Sequence, residues 1–232
     1  MGLPFTRNQS YAAGVTNPSA TDMNDLQDSV QRLWRAISGG VTLVRDDFIM
    51  GADGDVIAGW ESSGFTYGED TTSGDGMGVA AATPASGTDA YFRGMNMGLL
   101  SKKFRLAFRA FPAKATSSNS GTLFTFGLFS TLSEAVYFKA RTSDTTYKVI
   151  NTFDGGTEHD TGVTTSGVGY HVFEVRFEGT ALEWAIDGAV VWSTTTAIPT
   201  FVRPYLEWRH TRDAGDANAS SSYVDSVSLW AA

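Results

Sequence analysis

From residue 172 to residue 192 the sequence alternates with a period of two through three successive runs, a pattern that suits strands and no helix. In the first run Phe173, Val175 and Phe177 share one face, and Glu174, Arg176 and Glu178 share the other. Gly179-Thr180 turns the chain into 181–186, where Leu182, Trp184 and Ile186 face in and Glu183 faces out. Asp187-Gly188 is a strong hairpin signal and leads into 189–192. The result is a three-stranded antiparallel meander with one buried and one wet face. Further strands are expected at 41–48, 104–111, 123–129, 135–140, 147–153, 202–208 and 223–230, separated by turn clusters at 117–121, 154–156 and 213–216. With no helix between them, strands at this spacing imply a two-sheet sandwich or a barrel. No repeat of 20–50 residues suggests a propeller or solenoid.

Composition agrees. Gly, Ser and Thr make up nearly a third of the 232 residues, charged residues only 18%, and 15 Phe, 8 Tyr and 6 Trp supply ample apolar area for a core. The net charge of −8 falls entirely in 41–232, because Arg7, Arg32 and Arg35 balance Asp22, Asp25 and Asp28. Nothing here resembles a nucleic-acid footprint. The absence of cysteine excludes disulfides, thiolate metal sites and a cysteine nucleophile. The first residues lack the charged and apolar regions of a signal peptide. The longest charge-free stretch, 115–133, is too polar to insert into a membrane.

One segment reads as helix. Thr21 is a suitable N-cap with Asp22 in the first turn. Met23, Leu26, Val30, Leu33 and Ile37 follow at spacings of 3, 4, 3 and 4, and Ser38-Gly39-Gly40 ends the run. Two heptads are too short to stand alone, so this helix packs on its own domain or on copies of itself. The polar arm before it and the glycines after it favour an oligomerisation seam. Within the arm, Leu3, Phe5 and Tyr11 are the substantial apolar groups available for anchoring to a partner. The organisation expected is an attachment arm (1–20), an oligomerisation helix (21–38) and an all-β domain (41–232).

The runs 173–178, 182–191, Ile198-Pro199, Arg203-Pro204-Tyr205-Leu206 and 223–230 resemble the concanavalin A-like lectin/glucanase jelly roll (laminin G-like). That resemblance implies a two-sheet antiparallel jelly-roll sandwich. Residues 18–28 resemble the short N-terminal helix of tailed-bacteriophage fibre, baseplate and head-decoration proteins. This second resemblance implies a virion protein, homotrimeric, attached to a capsid or tail protein by its arm and assembled in the host cytoplasm.

Glycosidases on this jelly roll place carboxylates two and four residues apart on one strand face. Here Glu174 and Glu178 bracket Arg176, and at ~3.3 Å per residue they would stand ~13 Å apart, so both read as a solvated face. His159, His171 and His210 show no zinc spacing, and His171 reads as structural. Loops at 53–55, 70–75 and 213–218 carry carboxylates that could take Ca²⁺, though without the EF-hand order; no other cofactor is suggested. For glycan binding the candidates are Trp60, Tyr67, Tyr205, Trp208, Asp213, Asp216 and Asn218: aromatic faces for a pyranose, with acids and an amide for its hydroxyls. Trp184 and Trp230 are expected in the core. The expectation is a non-enzymatic virion structural protein, a capsid decoration, head fibre or tail fibre. The alternative is a carbohydrate-binding module or receptor-binding tip for host surface glycans.

Overall fold

The structure is a computed structural model of the chain. It describes residues 41–46, 60–69, 78–94, 103–113, 122–131, 133–141, 143–165, 169–200, 204–214 and 220–231. The chain divides between Gly39 and Gly40. Residues 1–39 lie outside the described residues, and with them the anchoring candidates Leu3, Phe5 and Tyr11 and the seam Met23, Leu26, Val30, Leu33 and Ile37.

The described residues form β1 (Val41–Asp46), β2 (Glu61–Ser63), β3 (Thr66–Glu69), β4 (Gly78–Ala82), β5 (Thr88–Arg93), β6 (Phe104–Ala113), β7 (Thr122–Thr131) and β8 (Glu134–Arg141). They continue as β9 (Thr146–Asn151), β10 (Glu158–Thr164), β11 (His171–Phe177), β12 (Leu182–Ile186), β13 (Ala189–Thr194), β14 (Tyr205–Arg212) and β15 (Ser221–Ala231). One sheet runs β13-β12-β11-β6-β15-β4-β3, with β1 also paired to β15; the other runs β10-β9-β8-β7-β14-β5-β2. Every pairing is antiparallel. This is the all-β jelly-roll sandwich expected. Among the described residues no helix is long and apolar enough to cross a membrane.

Alternation builds the core. Phe124, Phe126 and Leu128 of β7, Leu206 and Trp208 of β14, and Phe173 and Val175 of β11 are buried in one cluster between the sheets. Phe126 is its centre: Trp208 lies on it at 4.1 Å and 15°, Phe138 stacks at 5.5 Å, and Phe173 of the opposite sheet meets it edge-on at 4.7 Å. Such pairs contribute ~0.5–1.5 kcal/mol each beyond area burial. Trp184 is in the core as expected; Trp230 is not. Leu229 takes the inward position at the end of β15, which turns Trp230 outward, half-buried, opposite Arg105.

The Asp187-Gly188 turn forms with φ of 52° and 82°, the left-handed pair that a two-residue hairpin requires. The Asp187 carboxylate accepts the Val172 N–H at 2.9 Å and meets His171 Nδ1 at 2.6 Å, tying the hairpin to the start of β11. The solvated reading of Glu174 is corrected. Glu174 is 1% exposed, held by the guanidiniums of Arg105 and Arg176, and so is no solvated residue. Glu178 is exposed and pairs with Lys103 at 3.9 Å. Strands β2 to β5 and β10 were not foreseen. The first three are short, β4 is a Gly/Ala-rich run, and β10 is a polar edge strand without hydrophobic alternation.

His210 sits fully buried beside Phe124, with Ser220 Oγ 2.9 Å from Nε2 and Ser222 Oγ 3.0 Å from Nδ1. Burial, helped by the Arg212 charge, lowers its pKa from 6.5 to about 3. The unfolded chain therefore takes up a proton that the folded one refuses. Stability from this group is complete above pH 6.5 and declines as the pH falls toward 3, by up to ~1.4 kcal/mol per pH unit. Urea titrations between pH 7 and 4 are expected to show a gentler slope in H210Q than in the parent chain. A second expectation concerns Gly127, where a Cβ would stand 2.3 Å from the Val136 carbonyl oxygen and 2.6 Å from Tyr137 Cα. G127A is expected to lose ~2–3 kcal/mol in the same assay, because backbone must move to admit the methyl group.

Candidate functional site

The outward-facing residues of the seven-stranded sheet lie in rows that cross the strands. One row reads Glu158, Ile150, Tyr137, Gly127, Glu207, Arg93 and Glu61, from β10 to β2. The next reads Asp160, Lys148, Lys139, Thr125, Arg209, Tyr91 and Ser63. The inward positions of these strands are the aromatic core, so the polar residues have no other face to occupy.

Glu207 is the centre of the first row. It is 4% exposed, and a carboxylate that deep persists when it is paired and hydrogen-bonded. Arg93 reaches it through Nε at 2.8 Å and Nη2 at 2.7 Å, and Arg209 through Nε at 2.9 Å. Arg93 also contacts Glu61 at 3.4 Å, and Arg209 contacts Asp89 at 2.9 Å. Five charges thus alternate in sign across β2, β5 and β14. Burial alone would lower the Arg93 pKa, but the hydrogen bond and charge of Glu207 outweigh it and hold Arg93 above its ordinary value. Hydrogen bonding to Glu207 raises Arg209 likewise.

The other end of the sheet carries a second set of pairs. Lys139, itself buried, bonds Glu158 and holds that carboxyl below its usual range. Lys148 meets Asp160 at 2.5 Å; with the Gly162 N–H and the Thr146 hydroxyl it brings that carboxyl down to about 2. Between the two sets stand aromatic rings. Tyr137 stacks on Phe129 at 5.2 Å, and Phe129 stacks on Tyr205 at 6.1 Å. Arg93 lies 4.7 Å over Tyr205 and 5.2 Å over Tyr91. Burial raises the phenol pKa of Tyr137, with Glu158 adding to it, and that of Tyr205, with Glu207 adding to it.

The glycan-binding candidates scatter. Trp208 is fully buried against Phe126 and Tyr67 is 7% exposed in the same core, so neither offers a face to a sugar. Trp60 packs partly buried with its ring edge-on to Phe92 at 5.2 Å. Tyr205 does lie on the outer face, but Phe129 flanks it on the β7 side and Arg93 on the β5 side. What it presents is an edge. Asp213 is exposed in the turn after β14, where its carbonyl accepts the Ser86 hydroxyl. Asp216 and Asn218 lie outside the described residues, as do the carboxylate loops at 53–55 and 70–75. Among the described residues no cluster of three His, Asp or Glu side chains could hold a metal ion. Sequence reasoning missed Glu207, Arg93, Arg209, Glu61 and Asp89. Their one local signal is the Glu207-Trp208-Arg209 spacing, which repeats Glu174-Val175-Arg176.

No family model matches the chain, and no curated protein does. Solved structures do. An endo-1,3-β-glucanase from Streptomyces sioyaensis is 13% identical over 83% of this chain and 96% of its own, with a TM-score of 0.61. The Crh5 transglycosylase is 17% identical over 82% of this chain and 84% of its own, at 0.59. The carbohydrate recognition domain of Emp47p is 12% identical over 80% and 93%, also at 0.59. These neighbours overturn the expected non-enzymatic virion structural protein: they are glucanases, transglycosylases and a carbohydrate recognition domain. The strand residues behind the first resemblance stabilise a jelly roll whatever it carries, so they could not distinguish a fibre from a carbohydrate-active protein. At such identities the likeness establishes one thing for this chain, the concanavalin A-like jelly-roll fold.

Proposed function

We propose that this protein is a carbohydrate-active enzyme of the glucanase or transglycosylase type, working on a β-linked glucan at the outer face of the seven-stranded sheet. The observation that carries the reading is the pair Glu207 and Glu61, two carboxylates on one row of that face joined by a single guanidinium, Arg93. Bridged by one guanidinium, the two carboxylates stand side by side on one face, as the paired acids of glycosidases do. The structural neighbours support the substrate class, since they include a 1,3-β-glucanase and an enzyme of mixed-linkage glucan.

Each carboxylate suits one role. Glu207, buried and fixed by two arginines, supplies the negative charge that stabilises the positive charge developing at the anomeric carbon. Glu61, whose side chain is 62% exposed at the sheet edge, is the carboxyl a substrate can reach, and it exchanges the proton with the leaving oxygen. The glycosidic electron pair departs with that oxygen. An incoming water or sugar hydroxyl then returns a proton to Glu61, giving hydrolysis with the first acceptor and transfer with the second.

A second reading, glycan recognition without cleavage, draws on the two guanidiniums that compensate the Glu207 charge, and on the Emp47p neighbour. The test separates the two. Soluble 1,3-β- and mixed-linkage glucans are incubated with the protein and the products are resolved by chromatography. Shortened or transferred chains are expected, with E207Q slower by about 10³-fold or more. Retention on a glucan affinity gel with no product in long incubations would leave the recognition reading and overturn the enzymatic one.

A further inference from the structure

Both sheets carry the same device on their outer faces. Glu174 on β11 is held by Arg176, two residues on, and by Arg105 of the paired strand β6. Glu207 on β14 is held by Arg209, two residues on, and by Arg93 of the paired strand β5. Two buried carboxylates, each between two arginines, point first to a structural staple. A carboxylate taken out of water on a sheet surface needs compensating cations wherever it occurs.

Two arginines of the four bridge to a second carboxylate. Among the described residues Arg105 and Arg176 contact Glu174 in their ion pairs, and Arg209 joins Glu207 to Asp89. Arg93 alone touches both Glu207 and Glu61, with Nη2 on one and Nη1 on the other. Its guanidinium lies over the rings of Tyr205 and Tyr91 while its Nε donates to Glu207. A planar fork flanked by two rings and held along one edge presents its remaining nitrogen, Nη1, to Glu61 on the three-residue strand β2.

Resting on the enzymatic reading above, we propose that Arg93 is the positioning residue of the site: it sets the separation and orientation of Glu61 relative to Glu207. Arg93 does not touch the substrate's reacting atoms. It acts through the two carboxylates, and through Glu61 above all, because Glu207 keeps a second partner in Arg209 and Glu61 has an exposed, long contact. A lysine would retain the charge but offer a point donor where a bidentate fork is needed.

The experiment compares R93A, R93K and R105A with the parent chain. R105A removes the equivalent staple from the opposite face and measures the cost of the staple itself. Far-UV circular dichroism and urea titration confirm folding; if R93A does not fold, R93K carries the comparison. Two readouts follow, glucan turnover and affinity for the same glucan on an affinity gel. In R93A, kcat is expected to fall about 10²-fold with KM changed less than threefold, and millimolar guanidinium is expected to restore a measurable part of it. R93K is expected to stay impaired and R105A to match the parent. Equal losses in R93A and R105A, or none in R93A, would overturn the proposal while leaving glucan turnover by the parent intact. If the parent binds glucan without turning it over, the enzymatic reading fails; a loss of affinity confined to R93A then upholds Arg93 as the residue organising this face. A parent chain that neither binds nor cleaves overturns both.

Discussion

Trp208 lying flat against Phe126 does more than fill the core. Because a strand's side chains alternate, an indole anchored at 208 commits Leu206 and His210 to the same side, and commits Glu207 and Arg209 to the other. A slip of one residue in β14 would drive a carboxylate and a guanidinium into a layer of Phe124, Phe126, Phe138 and Phe173. It would also turn the tryptophan out to water. An unpaired buried charge costs several kcal/mol at least, so the aromatic packing fixes the register of the polar face with a wide margin. The chemistry on the outside is thus held in place by ring contacts on the inside.

The charges are arranged to survive their own burial. Glu207 and Glu174 are nearly inaccessible, and each would be strongly destabilising alone; each instead has two guanidiniums. A fully paired buried ion set contributes little net stability compared with apolar packing, whereas losing one partner is expensive. Its effect is therefore on position. It pins neighbouring strands at one register, on both faces of the sandwich. What sets the seven-stranded sheet apart is the addition of Glu61 and Asp89 at the ends of the staple, together with the rings of Tyr91, Tyr205, Phe129 and Tyr137 around it.

The sandwich was legible because its central strands alternate cleanly and its tightest turn, Asp187-Gly188, needs residues that adopt positive φ. Strands β2 to β5 were not, since runs of three to six residues are too short to display a decisive period. The site was hidden for a different reason. Arg93 and Glu207 are 114 positions apart, and strand periodicity tells which face a residue takes, never which strand lies beside it. Trp208 was within reach of correct placement: its parity with Leu206 already assigns it to the core. Reading it as a sugar platform gave weight to residue type where spacing should have decided.

That correction bears on how the face would engage a glycan. A pyranose stacks on an aromatic ring when the ring has a bare face, and here cations or other rings lie against these rings. Arg93 lies over Tyr205 and Tyr91, Arg209 over Tyr91, and Phe129 stands between Tyr205 and Tyr137. Beside them lie carboxylates and guanidiniums already oriented by one another. A polyhydroxylated chain meeting this surface finds charged hydrogen-bond donors and acceptors in fixed directions, with cations and anions nearly in balance. Charge-assisted hydrogen bonds to hydroxyls are directional where stacking is tolerant. Under the proposed function, recognition on this sheet would depend on the arrangement of the sugar's hydroxyls, and the staple that keeps Glu207 buried is also what holds those charged partners still.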